Sequence, residues 1–234
     1  MASLSIDVIA FDADDTLWHN EPIFTETKRK FEQLLANYHG EEWINLKLDE
    51  TEVRNIQHFG YGIKGFTLSM IETAIELTEG RISGREIGEI IGFSRQMMHH
   101  PVDLLDGVRE TVALLAASHK LMLITKGDLF DQEAKIARSD LGDYFSSIEI
   151  VSEKNTRVYR EIMERHAIDP ERFLMVGNSI KSDVLPVIEA GGSAVHIPYP
   201  STWFHEKLDG VDLEHVDFFE LEHIKQLPAF LNGR

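Results

Sequence analysis

Five short runs of apolar residues recur along this 234-residue chain, and each run is apolar on successive rather than alternate residues. Runs of this kind are typical of strands that are covered on both faces, as in a parallel β-sheet. Amphipathic segments lie between most of the runs, and this alternation predicts a doubly wound α/β sheet with right-handed crossovers. The predicted strands are residues 6–11, 121–125, 148–151, 173–176 and 194–197, and the predicted helices between them are residues 109–118, 130–141, 157–166 and 183–190.

One long interval departs from this alternation. Between residues 18 and 100 the sequence predicts a series of helices and no convincing strand. An all-helical insertion after the first strand is expected to form a separate small domain. The sequence therefore predicts a Rossmann-like core from residues 1–17 and 101–234 and a helical domain from residues 18–100. The helices predicted in the insertion are residues 23–38, 50–60, 65–80 and 83–98, and residues 212–227 predict a last edge strand and helix.

Composition excludes several classes of function. The formal net charge of -17 repels phosphate backbones, and no run of Lys and Arg offsets it locally, so we expect no nucleic-acid partner. The absence of cysteine rules out disulfides, thiolate metal sites and a cysteine nucleophile. No stretch approaches the roughly 20 apolar residues needed to span a bilayer, and the N-terminus lacks the basic segment of a signal peptide. We therefore expect no membrane partner and a cytoplasmic location.

The first predicted strand leads directly into three acids, in the stretch VIAFDADDTLW at residues 8–18. Ligands of a parallel sheet bind outside the carboxyl ends of its strands. Asp12 follows the strand and Asp14 comes two residues later, so in an extended backbone their side chains lean the same way. Two like charges this close favour a metal site or an acid–base pair. The alternative is a turn in which Asp15 and Thr16 cap the next helix.

Polar residues also follow the second and third predicted strands. Thr125 ends the second strand, and the backbone N–H groups of Lys126 and Gly127 come directly after it. Such a Thr-x-Gly turn can cradle a phosphate oxygen, although a threonine at a strand end is commonplace. Lys154 follows the third strand and places a cation at the same edge, although an isolated lysine is usually a solvated surface charge.

The fourth predicted strand is followed by the stretch GNSIKSD at residues 177–183. Gly177 permits a tight turn, and Asn178, Ser179 and Asp183 offer oxygen ligands of the hard type that Mg2+ prefers. The alternative for Asp183 is that it caps the helix behind it.

An acid pair, a hydroxyl, a lysine and an acid thus follow four successive strands, and this order resembles the haloacid dehalogenase-like hydrolase superfamily. Its first motif, Asp-x-Asp-x-Thr-Leu, is matched by DADDTL at residues 12–17, and its fourth, Gly-(Asp/Asn)-Ser-x-x-x-Asp, by residues 177–183. Thr125 and Lys154 match the single-residue second and third motifs. The helical insertion is similar to the superfamily's first type of cap domain. The resemblance covers essentially the whole chain and implies a Rossmann-like core with an inserted all-helical cap domain.

The resemblance implies a role for each matching residue. Asp12 would be the nucleophile that forms an aspartyl-phosphate, and Asp14 would protonate the leaving alkoxide and then activate water as a base. Thr125 would bind phosphoryl oxygens together with the backbone N–H groups of residues 126 and 127. Lys154 would offset the charge shared by Asp12 and the phosphate. The physical account agrees, because a carboxylate can attack phosphorus only when the anionic repulsion between them is removed.

The resemblance also implies a Mg2+ cofactor, held by the Asp12 side chain, the Asp14 backbone carbonyl and Asp183. Asn178 stands where many members of the superfamily have an acid, so the site carries one negative charge fewer and a lower metal affinity is expected. The resemblance implies that Asn178 would contact the metal either directly or through a water.

Two further positions depart from the superfamily's common pattern. Asn155 replaces the proline that often follows the lysine of the third motif. Lys126 lies in the middle of the Thr-x-Gly turn, where the superfamily often has asparagine, and it either touches substrate or points to solvent.

The acid at position 14 favours a phosphatase. Dehalogenases of this superfamily lack that acid because a leaving halide needs no proton, whereas a leaving alkoxide does. The resemblance therefore implies a phosphatase whose partner is a small phosphate ester. The alternatives are a phosphomutase of the same fold and a catalytically silent ligand-binding member. Asp14 argues against the silent member, because ligand binding alone does not require an acid there.

The glycine-rich stretch HFGYGIKGF at residues 58–66 lies between two predicted helices of the insertion. In this superfamily a cap loop closes over the substrate, so Lys64 is a candidate substrate-binding residue and Tyr61 a candidate cover. The alternative is an ordinary interhelical turn, since glycine marks turns more often than sites. The sequence identifies neither the physiological ester nor the oligomeric state.

Overall fold

A parallel sheet forms the centre of the fold in a computed structural model, which describes residues 6–201, 213 and 215–233. Its strands have the order β3-β2-β1-β4-β5-β6, and every neighbouring pair is parallel. This order confirms the doubly wound α/β sheet. In the described residues the strands are β1 (Val8–Phe11), β2 (Lys120–Lys126), β3 (Ser147–Val151), β4 (Phe173–Gly177), β5 (Ser193–His196) and β6 (Phe219–Glu220).

Helices connect the strands and form the insertion between β1 and β2, where the structure contains no strand in residues 22–101. The helical insertion is thus confirmed. No helix in the described part of the chain has the length and apolar character to cross a membrane. The helices are α1 (Glu21–Leu35), α2 (Glu41–Phe59), α3 (Ile63–Leu77), α4 (Gly84–Met98), α5 (Val108–Ala116), α6 (Leu129–Ser139), α7 (Thr156–Arg165), α8 (Leu185–Glu189) and α9 (Leu227–Asn232).

β1 is one of the two central strands of the sheet and is buried along its whole length. Ile9 and Phe11 pack into one apolar cluster that includes residues of α5, whereas Val8 and Ala10 pack into a second cluster that includes residues of α7 and α8. Coverage of both faces explains why the strand is apolar on successive residues. The same physical reason makes the five predicted strands correct to within two residues at each end.

The register of the sheet brings three strand ends to one edge. Phe11 of β1 is aligned with Leu123 of β2 and with Val176 of β4, and the Asp12 N–H donates to the Val176 carbonyl oxygen at 2.9 Å. The residues that follow these three strands therefore lie at the carboxyl edge, at the point where ligands bind in sheets of this topology.

Two helical segments differ from the sequence-based expectation. A π-helical segment, Ile180–Val184, precedes α8, and Asp183 lies in this segment. α2 begins at Glu41 rather than at residue 50, because acids in its first turn suit a helix N-terminus and because Ile44 and Leu48, four residues apart on one face, are buried. The edge strand expected within residues 212–227 is β6; residues 212 and 214 lie outside the described residues.

The chain divides into two compact units. The first takes in the described residues of Met1–Glu21, Val102–Lys126 and Lys135–Arg234, and the second is Pro22–Pro101 with Gly127–Ala134. The core of the second unit is built from apolar residues of α1 to α4. The exact boundaries expected from the sequence, residues 1–17 and 101–234 for the core and 18–100 for the insertion, stay a prediction.

Tyr159 of α7 anchors the segment that carries Asp183, because its buried hydroxyl donates to the Ser182 carbonyl oxygen at 3.0 Å. Tyr159→Phe removes the hydroxyl and this hydrogen bond but keeps the ring, so the free energy of unfolding should fall by about 1 kcal/mol. Tyr159→Ala also leaves a cavity and should cost about 3–5 kcal/mol. Urea denaturation measures both losses.

Tyr144→Phe is the matched control, because the Tyr144 hydroxyl has no hydrogen bond within the described residues. Its free energy of unfolding should change by less than about 0.5 kcal/mol. Equal losses for Tyr159→Phe and Tyr159→Ala would contradict the view that ring packing dominates at this position.

Candidate active site

The chain reverses direction immediately after Asp12. The Leu17 N–H donates to the Ala13 carbonyl oxygen at 2.8 Å, and the Asp15 N–H donates to the Trp18 carbonyl oxygen at 2.7 Å. Asp15 adopts a left-handed backbone with φ of 61°, which aspartate tolerates better than most residues. This tight turn keeps Asp14 close to Asp12 at the end of β1.

Asp15 and Thr16 have different roles in this turn. The Asp15 carboxylate accepts hydrogen bonds from the backbone N–H groups of Asn20, at 2.8 Å, and Glu21, at 3.0 Å, so the capping role predicted for Asp15 is correct. Burial raises the pKa of Asp15 to about 7. The Thr16 hydroxyl instead lies 3.2 Å from Asp12 Oδ2 and 3.2 Å from Asn178 Oδ1, and it therefore links the first and fourth motifs.

Lys154 lies between two carboxylates. Its Nζ is 2.5 Å from Asp12 Oδ1 and 2.7 Å from Asp183 Oδ1, and its side chain is only 2% exposed. Burial alone would lower the pKa of Lys154, but the two carboxylates outweigh burial and raise it well above its usual value. The alternative that Lys154 is a solvated surface charge is therefore wrong.

The buried position of Asp12 at the sheet edge disfavours the charged form of its carboxyl group. Burial raises the pKa of its carboxyl group, Asp183 and Asp14 add to the shift, and Lys154 opposes it. A buried carboxylate with two acidic neighbours is stabilised in its charged form by any further cation that binds beside it.

The π-helical segment aims the Asp183 carboxylate at Lys154 and at the backbone of the fourth motif. Asp183 Oδ2 accepts a hydrogen bond from the Ser179 N–H at 3.1 Å, whereas the residue that caps α8 is Val184. The alternative that Asp183 only caps the next helix is therefore wrong. Gly177 permits this arrangement, because a Cβ atom there would overlap the Asp183 carboxylate.

These residues fit a magnesium ion. Within the described residues, no group of three or more His, Asp and Glu side chains could hold a metal ion. Mg2+, however, is usually bound by only one or two protein carboxylates together with waters and substrate phosphate oxygens. Asp12 and Asp183 supply two carboxylates that a single lysine Nζ already bridges, and Asn178 adds an amide oxygen nearby.

Thr125, the next-to-last residue of β2, has a buried hydroxyl without a partner in the described residues. The residue is 1% exposed, and its Oγ1 has no hydrogen bond within the described part of the chain. Buried polar atoms of proteins are almost always hydrogen-bonded, so an atom of this kind indicates a missing ligand. A phosphoryl oxygen is one such ligand.

Lys126 and Gly127 continue the chain beyond Thr125. The Lys126 side chain is 13% exposed, and its Nζ donates to Ser182 Oγ at 3.3 Å, so the alternative that it points to solvent is wrong. Gly127 has φ of 149°, and a Cβ atom there would crowd the Gln132 side chain. Glycine is therefore required at the third position of the turn.

Lys64 belongs to the second unit. Its half-exposed side chain forms an ion pair with Asp128, with Nζ at 3.0 Å from Oδ1 and 3.1 Å from Oδ2, and it lies over the Phe130 ring. Gly60 and Gly62, which precede it, both have positive φ. Glycine adopts such a backbone without strain, so these two residues permit the tight turn between α2 and α3. That Lys64 binds substrate stays a prediction.

Lys135 of α6 was missed by the sequence analysis. Its Nζ lies 2.8 Å from Asp14 Oδ1 and 2.9 Å from Asp14 Oδ2, and Trp18 Nε1 donates to the same Oδ1 at 2.7 Å. Nothing in the sequence distinguishes this lysine from the solvated lysines of other amphipathic helices. The contact spans 121 positions of the chain, so only the tertiary structure reveals it.

Comparison with solved structures gives close matches to this architecture. A haloacid dehalogenase-like family hydrolase from Xanthomonas campestris is 41% identical with a TM-score of 0.87, over 98% of this chain and 91% of that one. A hydrolase from Bacillus subtilis, YfnB, bound to magnesium, is 15% identical with a TM-score of 0.68, over 97% and 99% of the two chains. The second likeness concerns the fold alone.

Curated relatives are phosphatases. N-acylneuraminate-9-phosphatase of Rattus norvegicus is 23% identical over 97% of this chain and 94% of its own length. Glyceraldehyde 3-phosphate phosphatase of Methanothermobacter thermautotrophicus is 29% identical over 51% of this chain, and the match spans about half of that relative, 54% of its length.

A family model described as haloacid dehalogenase-like hydrolase matches residues 6–191, a range that contains β1 to β4, all four motifs and the helical insertion. The match covers well over half of the chain and agrees with the geometry of the strand ends. The chain therefore belongs to the family of haloacid dehalogenase-like hydrolases and is an enzyme of the hydrolase class.

Proposed function

We propose that this hydrolase is a magnesium-dependent phosphatase, which cleaves a small phosphorylated metabolite through an aspartyl-phosphate intermediate. The observation that carries the proposal is the buried Asp12 carboxylate, which Lys154 contacts at 2.5 Å, with a second acid, Asp14, close by. The curated relatives, which are phosphatases of small phosphorylated compounds, support the same reaction class. A cytoplasmic location stays a prediction.

The proposed reaction has two steps, each with a balanced transfer. In the first, an Asp12 carboxylate oxygen forms a bond to phosphorus, the bond from phosphorus to the ester oxygen breaks, and Asp14 gives a proton to the leaving alkoxide. In the second, Asp14 takes a proton from water as the water oxygen attacks phosphorus, and the bond between phosphorus and Asp12 breaks. The products are an alcohol, inorganic phosphate and the regenerated carboxylate.

Binding of the phosphoryl group is proposed to use the second motif. The unpartnered Thr125 hydroxyl and the N–H groups of Lys126 and Gly127 are donors for its oxygens. Lys154 offsets the negative charge of Asp12 as the anionic phosphate approaches, and it is already in contact with that carboxylate.

Mg2+ is proposed to be held by the Asp12 and Asp183 side chains, the Asp14 backbone carbonyl and Asn178, either directly or through a water. When bound, the ion supplies positive charge that stabilises the transferred phosphoryl group. The Thr16 hydroxyl supports this ligand set, because it lies within 3.2 Å of both Asp12 and Asn178 and helps to fix their oxygens.

Replacement of the nucleophile is the first test of this proposal. Asp12→Asn keeps the shape of the side chain but removes its charge, so kcat should fall at least about a thousand-fold, and the acid-quenched enzyme should carry no covalent phosphate. Stopped assays with p-nitrophenyl phosphate and mass spectrometry measure the two effects. A phosphomutase would instead yield a bisphosphorylated product rather than free phosphate.

Asp106→Asn is the matched control, because Asp106 is an exposed aspartate paired with Lys225. Its kcat should stay within about two-fold of wild type. An Asp12→Asn enzyme with more than about a tenth of wild-type activity would exclude the covalent mechanism.

Metal dependence is the second test. EDTA should abolish activity, Mg2+ should restore it, and Ca2+, which accepts looser coordination, should restore it poorly. Asp183→Asn should raise the Mg2+ concentration for half-maximal activity at least about ten-fold, because a charged ligand is lost, whereas Asn178→Asp should lower it. Metal titrations of the three enzymes measure these shifts, and an unchanged midpoint in Asp183→Asn would remove that residue from the ligand set.

Substrate contact by Lys64 is the third test. Lys64→Ala should lower kcat/KM for the best phosphorylated metabolite about ten-fold or more, as for loss of a charge-assisted hydrogen bond of about 1.5–3 kcal/mol. It should leave p-nitrophenyl phosphate nearly unaffected, because that ester offers the lysine no remote polar group.

Asp128→Asn distinguishes a contact between Lys64 and substrate from the ion pair between Lys64 and Asp128. The substitution removes the ion pair but keeps the lysine. Its kcat/KM for the metabolite should stay within about three-fold of wild type. If Asp128→Asn reproduces the loss seen in Lys64→Ala, Lys64 serves only to pair with Asp128.

A further inference from the structure

Two side chains that belong to none of the four family motifs contact the Asp14 carboxylate. Trp18 Nε1 donates to Oδ1 at 2.7 Å, and Lys135 Nζ lies 2.8 and 2.9 Å from the two oxygens. Lys135 Nζ also donates to Asn20 Oδ1 at 3.2 Å, which fixes the direction of its own side chain. Both carboxylate oxygens of Asp14 are thus contacted by donors of other side chains.

This ion pair differs from the exposed pairs on the rest of the molecule. The Lys135 side chain is 11% exposed and that of Asp14 is 21% exposed. Exposed pairs stabilise proteins little because solvent screens them and because two long side chains must be ordered. A pair that is largely shielded, with both carboxylate oxygens contacted, restricts the rotation of the carboxylate.

The two donors reach Asp14 from different parts of the fold. Trp18 is fully buried and closes the turn after β1, whereas Lys135 lies on α6, after β2. Lys135 lies on a helix and not in the turn that contains Asp14 and Trp18, so it ties the Asp14 side chain to a second, rigid element. Lys154 contacts Asp12 and Asp183, so each of the two lysines serves a different part of the acidic cluster.

We propose that Lys135 is a positioning residue for Asp14, holding its carboxylate where it reaches the leaving-group oxygen. This inference rests on the proposed phosphatase reaction, in which Asp14 transfers the proton. Proton transfer requires hydrogen-bond distance to the reacting atom, and a displacement of about 1 Å can cost on the order of a hundred-fold in rate. Lys135 acts through Asp14 and has no contact with the reacting atoms in this account.

Two aryl esters of nearly equal size test the inference. p-Nitrophenyl phosphate releases a phenolate that needs little help from an acid, whereas phenyl phosphate releases a more basic one that needs a proton. Lys135→Met keeps the length of the side chain and removes its charge. Formation of the phosphoenzyme, followed in single turnovers, should slow at least about ten-fold with phenyl phosphate and less than about three-fold with p-nitrophenyl phosphate.

A double-mutant cycle separates positioning from a general structural effect. In an Asp14→Asn background, Lys135→Met should cause less than about a two-fold further loss with phenyl phosphate, because Lys135 acts only through Asp14. Lys135→Arg retains the charge and should recover part of the rate. Lys225→Met, which removes the lysine of an exposed ion pair with Asp106, is the matched control and should behave as wild type on both esters.

The outcomes distinguish this inference from the proposed function. A wild-type enzyme that forms no Asp12-dependent phosphoenzyme contradicts the proposed function itself. With an active wild type, equal losses on both esters, unchanged rates, or losses that add fully to those of Asp14→Asn overturn the role of Lys135 alone. If Lys135→Met lowers the melting temperature relative to Lys225→Met, Lys135→Gln replaces it in the same cycle and is judged by the same criteria.

Discussion

The concentration of negative charge at the carboxyl edge of the sheet is the constraint on which the site depends. Asp12, Asp14 and Asp183 meet there, and each like charge makes burial of the others less favourable. Lys154 contacts two of these carboxylates and Lys135 contacts the third. Without Lys154 the buried Asp12 carboxylate could not stay charged beside these acids, and a charged nucleophile is what the proposed chemistry requires.

The central position of β1 is what makes this arrangement rigid. Both faces of the strand are covered by apolar clusters, and the Asp12 N–H is already hydrogen-bonded to β4. A slip of one residue would draw Asp7 or Asp12, the acids that flank β1, into the buried part of the strand, so the cost of burying an unpaired charge fixes the register. The position of Asp12 relative to the residues that follow β4 is therefore set by the burial of β1 rather than by the site itself.

The sequence predicted what depends on local pattern and on strand order. The strands follow from runs of successive apolar residues, and the placement of Asp12, Thr125 and Asp183 at one edge follows from the topology. The π-helical segment before α8 was not predicted, because it is stabilised by contacts of Asp183 with Lys154 and Ser179. Contacts between distant parts of the chain leave no local signal, which is also why Lys135 was missed.

The balance of charge at the site links phosphate binding to metal binding. The three carboxylates outnumber the two lysines that contact them, so a phosphate anion approaches an edge that is still negative. An acid in place of Asn178 would add a fourth carboxylate beside Thr16 and increase this repulsion. Under the proposed function, the amide at position 178 would lower the affinity for a cation and would also lessen the repulsion of a phosphate anion. In the proposed reaction, the neutral Asn178 would therefore leave more of the binding of the phosphoryl group to Lys154 and to the buried hydroxyl of Thr125, which has no hydrogen bond within the described residues.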